Sequence, residues 1–435
     1  MKSGEVNRLI STIDTVPPLP VVVSSVLRVA ESPNSNAADL AAVVSDDTAL
    51  TARVLRVVNS PFYGFARKVT TVTESVVLLG FETIVNLVIG ITVARTMDAG
   101  ESHVLDRRRF WQHSLGTAAA ARILSDLVDY PNPEETFIAG LMHDIGKLFF
   151  DEYLPDEYAA VVSRLRAGEG DELKVERDVL RTDHTLAGEM LLKKWHLPGL
   201  YQKAARYHHA PLRYERRLHT AAGRLVGAVY LADIFSKMHG DACDARAYLP
   251  AVDPHVWSLL GLEEEQGRRV FLLFEEEIQH AKEFLGVACS SDLGDIALVD
   301  KGEVMSVMIV CRRQPVVSTT RIILSSAGFD TFYGLLNKGN VEIPEGARPD
   351  IILLDQDDIS SDFAGIVQLI AKIREKTGLK IIILRDGPVN VEEEKAYERQ
   401  GVFMLEKPFR AADLIEKLRG ILARPTPVAG STNPG

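Results

Sequence analysis

In AADLAAVVSDDTALTARVLRVV, residues 37–58, Leu40, Val43 and Val44 recur at spacings of three and four, the period of an amphipathic helix. Helical periodicity of this kind dominates the first 285 or so residues, and no strong alternating strand pattern precedes residue 300. SDDT, residues 45–48, supplies capping chemistry before ALTARVLRVV. NSPFYG then ends that helix through Asn59, Pro61 and Gly64. The most apolar stretch, ESVVLLGFETIVNLVIGITVART at 74–96, approaches the length of a membrane span. It carries Glu82, Asn86 and two glycines, which predicts the middle of a helical core instead.

Beyond residue 300 the pattern changes. SVMIV, FDTFYG, PDIILLD, KIIILRD and VFMLEKP read as strands. They alternate with the helical stretches VVSTTRIILSSAG, FAGIVQLIAKIREKTG, NVEEEKAYERQG and AADLIEKLRGILA, and a loop with a short helix is expected after the second strand. Continuous Ile/Leu/Val strands between amphipathic helices predict a parallel sheet covered on both faces. Two domains are therefore expected: all-α over 1–285 and α/β over 304–424. Small and acidic residues at 286–303 read as a linker, and PTPVAGSTNPG at 425–435 as a disordered tail.

Composition narrows the function classes. A net charge of −11 argues against a general nucleic-acid binder, which needs clustered Lys and Arg. Cys243, Cys289 and Cys311 are odd in number and form no CxxC pair, so neither a disulfide framework nor a zinc ribbon is indicated. No secretory signal is visible at the start, and the expected location is cytoplasmic with no membrane partner.

The chemistry concentrates in AGLMHDIGKLFF, residues 139–150, where His143 and Asp144 sit side by side in an otherwise apolar run. The surrounding residues carry a resemblance. PPLPVVVSSVLRVAESPNSNAADLAAVV, the NSPFYG turn and the VVLLG step follow one another as in the HDOD domain, and the likeness runs from about residue 14 to 235. HDOD domains are helical relatives of the HD phosphohydrolases, found mostly in bacterial signalling proteins. The resemblance implies a divalent metal held by His113, His143, Asp144 and Asp233. His184, His208 and His209 stand where two-metal relatives add ligands. Lys147, one turn after Asp144, is placed to meet a substrate phosphate. One histidine in an apolar helix is usually a packed core residue, but five of the eleven histidines fall at these positions. HHAPLRYERRL lacks the acidic residue and Gly-Tyr-Pro element of the HD-GYP cyclic-dinucleotide phosphodiesterases, so that substrate is not indicated.

Residues 304–424 resemble a response-regulator receiver, implying a flavodoxin-like, doubly wound parallel sheet. Asp355 ends a strand where the phosphoacceptor sits, and Lys407-Pro408 matches the family's Lys-Pro element. The acidic pair that holds Mg2+ in that family is replaced by Cys311, Arg312, Arg313 and Gln314, and Arg385 stands where a small hydroxyl residue is expected. Mg2+ is not expected here. Asp355 either pairs with Arg312, Arg313 or Lys407, or caps a loop.

These features together predict a bacterial signal-transduction protein: a regulatory HDOD domain that keeps an HD-type metal site, coupled to a pseudo-receiver interaction domain. The alternative is a metal-dependent phosphohydrolase that uses Asp144 and Lys147. The expected partners are other signalling proteins and a nucleotide ligand.

Overall fold

A computed structural model describes residues 12–60, 63–98, 103–167, 169–213, 218–239, 252–285, 305–311, 318–337, 340–342, 346–355, 369–371, 379–386, 391–407 and 411–422, with the single positions 344, 373, 374 and 377. The regions read as linker and tail, and Arg312 and Arg313, lie outside the described residues; so does the side chain of Lys407. The chain divides into two compact units, one containing residues up to 237 and 252–291, the other made chiefly of residues 292–435.

The first unit is helical. Its helices are α1 (Val21–Glu31), α2 (Ala37–Ser45), α3 (Thr48–Val58), α4 (Val72–Leu79), α5 (Phe81–Asp98), α6 (Arg107–Leu127), α7 (Pro133–Met142) and α8 (Ile145–Tyr153). They continue as α9 (Pro155–Ala167), α10 (Glu172–Leu180), α11 (His184–Lys194), α12 (Gly199–Tyr207), α13 (Ala221–His239), α14 (Pro254–Leu259) and α15 (Glu264–Leu285).

Several sequence signals resolve into contacts. Asp47 caps α3 by accepting the Leu50 N–H at 2.9 Å. Asn59 ends that helix: its Nδ2 donates to the carbonyls of Leu55 and Val69, and its Oδ1 accepts the Val69 N–H at 2.7 Å. The segment before PPLP is held from α11, where Lys194 Nζ donates to the carbonyls of Ile13, Asp14 and Val16. Trp195 Nε1 donates to the Pro17 carbonyl at 3.0 Å.

The apolar stretch 74–96 is not one helix. Gly80, at φ +92°, separates α4 from α5, a conformation that L side chains rarely adopt. No single described helix is long and apolar enough to cross a membrane. Val72–Leu79 and Phe81–Met97 reach that length only together, and they are bent by 120°.

Two further glycines set helix spacing. A Cβ on Gly140 of α7 would lie 2.9 Å from Ala118 Cα, on the buried alanine run of α6. On Gly146 of α8 it would lie 2.0 Å from the carbonyl oxygen of His184, the first residue of α11. Backbone contact of this closeness brings α6, α7, α8 and α11 together around residues 113, 143, 144 and 184.

The second unit contains a six-stranded sheet: β1 (Ser306–Cys311), β2 (Asp330–Asn337), β3 (Asn340–Glu342), β4 (Ile351–Asp355), β5 (Lys380–Asp386) and β6 (Val402–Lys407), ordered β3-β2-β1-β4-β5-β6. Its described helices are α16 (Thr319–Ser326), α17 (Val391–Glu398) and α18 (Ala411–Leu422), with helical residues also at 369–371, 373, 374 and 377. All strand pairs are parallel except β2 with β3. The short helix expected after the second strand is replaced by β3, because Leu335 and Leu336 continue β2 and Val341 pairs back on Leu336. Met308, Val310, Ile352, Leu354, Ile381 and Ile383 line one buried face. Cys311, Asp355, Arg385 and Lys407 all fall at the carboxyl ends of their parallel strands, with Asp355 beside Leu384 and Arg385 beside Glu406.

Candidate metal centre

Each of the seven side chains expected as ligands belongs to one buried cluster. His113 comes from α6, and His143 and Asp144 form the turn between α7 and α8. His184 opens α11, His208 and His209 follow α12, and Asp233 lies on α13. His113, His143, His184 and His208 are fully buried, and Asp144 and Asp233 almost so.

Asp144 is the hub. It sits at the N-cap of α8 but makes no side-chain cap, so its carboxylate is turned away from the helix and into the cluster. Its Oδ2 lies 3.7 Å from His113 Nε2 and 3.4 Å from His143 Nε2. Its Oδ1 lies 3.2 Å from His184 Nε2 and 3.3 Å from His208 Nε2. Asp233 Oδ1 closes the first group, 3.0 Å from His113 Nε2 and 3.7 Å from His143 Nε2. The ring of His209 lies 4.2 Å from that of His208 and 5.1 Å from that of His184, and one of its ring nitrogens belongs to the second group.

The imidazoles are oriented from behind. His143 Nδ1 donates to the Gly140 carbonyl at 2.7 Å, and His208 Nδ1 to the Ala205 carbonyl at 2.9 Å; a carbonyl can only accept. His184 Nδ1 donates to Glu176 at 2.8 Å. His113 Nδ1 has the Ser236 hydroxyl 3.3 Å away. These contacts direct the Nε2 of these four rings inward, the tautomer a metal ligand needs.

The electrostatics follow the same geometry. Burial alone would lower the pKa of His143, but Asp144 and Asp233 reverse this and raise it to about 9. Burial opposes the charge of His184 too, yet Glu176 and Asp144 hold its pKa well above the usual histidine value. Burial dominates at His208, lowered to about 4, and also lowers His113 and His209. Burial would raise both aspartates, but Asp144 is held low chiefly by His143 and Lys147, and Asp233 chiefly by Lys237.

Around the expected Lys147, three charged residues at the cluster were not foreseen: Glu172, Glu176 and Lys237. Lys147 is fully buried, with Nζ 2.9 Å from Asp144 Oδ2 and 2.7 Å from Glu172 Oε1. Glu172 and Glu176 lie one turn apart on α10, and their spacing in DELKVERDVL was the available signal. Lys237 pairs with Asp233 Oδ2 at 2.9 Å, and was legible as the cation four residues on.

This donor set suits a divalent ion. Asp144, His184, His208 and His209 present ligand atoms within 4.8 Å of one another, as do His113, His143 and Asp144. Imidazole nitrogens with carboxylate oxygens suit zinc and other transition ions. The Nε2 atoms of His143 and His209 are buried and make no hydrogen bond among the described residues, so a coordinate bond would satisfy them. These buried His/Asp groups could hold a metal.

Residues 16–211 match the HDOD domain. That stretch contains every cluster residue but those of α13. The helical unit resembles the crystal structure of an HDOD domain protein of unknown function from Geobacter sulfurreducens, with a TM-score of 0.56 and 22% identity over 65% of this chain and 97% of that one. It also resembles a Shewanella amazonensis SB2B protein whose name assigns it provisionally to the phosphohydrolases, with a TM-score of 0.51 and 23% identity over 63% of this chain and 97% of that one. At these identities the likeness is one of fold. An uncharacterized Treponema pallidum (strain Nichols) protein is 25% identical over 224 residues, 48% of this chain, and the chain spans 41% of its length.

Proposed function

We propose that the chain is a signal-transduction protein whose HDOD domain holds two divalent metal ions in a regulatory centre, and whose α/β unit is a pseudo-receiver that docks partner proteins. One observation carries the metal reading: the two oxygens of Asp144 face two separate groups of inward-directed histidine nitrogens. His113, His143 and Asp233 would hold one ion, His184, His208 and His209 the other, with Asp144 bridging. Bound there, such ions supply Lewis acidity and cross-link helices that are distant in sequence.

The regulatory role is favoured by burial. His113, His143, His184 and His208 are at 0% exposure among the described residues, so a substrate would have to displace the side chains that cover them. Lys147 is already engaged by Asp144 and Glu172, and would have to leave Glu172 to meet a phosphate. A second reading, phosphoester hydrolysis, is favoured by the bridging position of Asp144, since paired ions suit in-line displacement at phosphorus. In that reading Asp144 positions the ions and Lys147 steadies the phosphate.

The pseudo-receiver reading is supported by topology. With β3 set aside, the parallel strands run β2-β1-β4-β5-β6, the flavodoxin-like order 2-1-3-4-5, whose ligand site lies at the carboxyl ends of the strands. Asp355 ends a central strand there, while Cys311 ends β1 where a receiver supplies carboxylates for Mg2+.

The test is metal analysis of the purified protein by inductively coupled plasma mass spectrometry, followed by phosphomonoester and cyclic and linear dinucleotide substrates. About two equivalents of metal without turnover support the regulatory centre. Turnover abolished by Asp144→Asn replaces it with the hydrolase, and a protein that takes up no divalent ion ends both.

A further inference from the structure

The second group of ligands has a support that neither motif nor resemblance indicates. Glu176, on α10, is fully buried. Both its oxygens face the His184 ring, with Nδ1 2.9 Å from Oε1 and 2.8 Å from Oε2, and Oε2 also accepts the His184 backbone N–H at 2.8 Å. One carboxylate therefore fixes both the backbone and the ring of a single residue. On the far side of that ring, Nε2 lies 3.2 Å from Asp144 Oδ1 and 3.4 Å from His208 Nε2, at the middle of the second group. His143 and His208 use carbonyls for the same purpose, whereas His184 is backed by a full negative charge, which makes its Nε2 a stronger donor.

Resting on the metal reading above, we propose that Glu176 is a positioning residue for the second metal: it holds the Nδ1–H of His184 so that Nε2 points at the ion shared with Asp144, His208 and His209. Glu172, one turn earlier on the same helix, engages Lys147 on the other side of Asp144, so α10 braces both flanks of the bridging carboxylate.

A purely structural Glu176 would tie α10 to the start of α11 and nothing more. The discriminating experiment is a thermodynamic cycle in metal binding. The full chain, stripped with chelator, is titrated with Mn2+ by calorimetry as wild type, Glu176→Gln, His184→Ala and the double variant. Gln keeps an acceptor for the backbone N–H but not the charge. Glu176→Gln is expected to weaken the second equivalent about 10–100-fold while leaving the first unchanged. In the His184→Ala background it is expected to change nothing. Should Glu176→Gln not fold, Glu176→Asp, which draws the carboxylate back by one methylene, is read in the same way. Wild-type affinity in the Glu176 variant, or an equal loss with His184 already removed, overturns the inference alone. A stripped wild type that takes up no Mn2+ overturns the reading of the centre and this inference with it.

Discussion

Replacing Gly146 with alanine is expected to destabilise the helical unit and, on the two-metal reading, to remove the second ion while sparing the first. Two effects compete. Gly146 is the second residue of α8, so alanine there gains at most about 1 kcal/mol of helix propensity, the value for a helix interior. Against this, the new Cβ would sit 2.0 Å from the His184 carbonyl oxygen, where ordinary contact begins at 3.4 Å. The obstructing atom is backbone, so no rotamer relieves the clash, and α8 and α11 must part locally by about 1.4 Å, the difference of those distances. Overpacking of this kind costs roughly 1–3 kcal/mol or more, so the clash outweighs the propensity and the unit melts lower by a few degrees, at about 2–4 °C per kcal/mol.

The same displacement separates Asp144 from His184, now 3.2 Å apart. Coordination tolerates only about 0.2 Å of error. The first group shares only Asp144 with the α8–α11 contact; its His113, His143 and Asp233 come from α6, the end of α7 and α13, so it should persist. Thermal unfolding with metal titration reads both effects. Gly199→Ala, whose Cβ would find its nearest neighbour at 4.0 Å, serves as the neutral control. A Gly146→Ala protein with wild-type melting temperature and two metal equivalents would refute the reasoning.

Asp144→Asn is expected to lower affinity for both equivalents, whereas His113→Ala should affect only the first; metal titration of the two variants side by side checks this. Asp151 is fully buried and accepts the backbone N–H groups of His103, Val104 and Leu105, so Asp151→Ala should cost about 3 kcal/mol or more by urea unfolding, through three orphaned donors. Acetyl phosphate should leave the mass of the intact chain unchanged in Mg2+. A Mg2+-dependent gain of one phosphoryl group, lost in Asp355→Ala, would show that the α/β unit is a working receiver.

Much of this was legible in one dimension. Apolar spacing of three and four marked the helices, and Ile/Leu/Val runs marked the buried parallel strands, because each depends on a local period. The residues of the buried His/Asp cluster were legible as well, since the HDOD resemblance implied them and His143-Asp144 stands out in an apolar run. What only the tertiary structure decided was convergence: which oxygen of Asp144 faces which histidine, and that Lys147 is engaged by Glu172. Glu176 was hidden for the same reason, being an unremarkable acid in a charged helix until α10 packs behind His184. The breaks at Gly80 and β3 went unread because a positive φ and a strand pairing depend on what the neighbouring segments do. Gly140 and Gly146 lie between the two levels. The sequence contains them, but only the packed helices give the missing Cβ its meaning: it is the absence that lets backbones approach closely enough for the cluster to form.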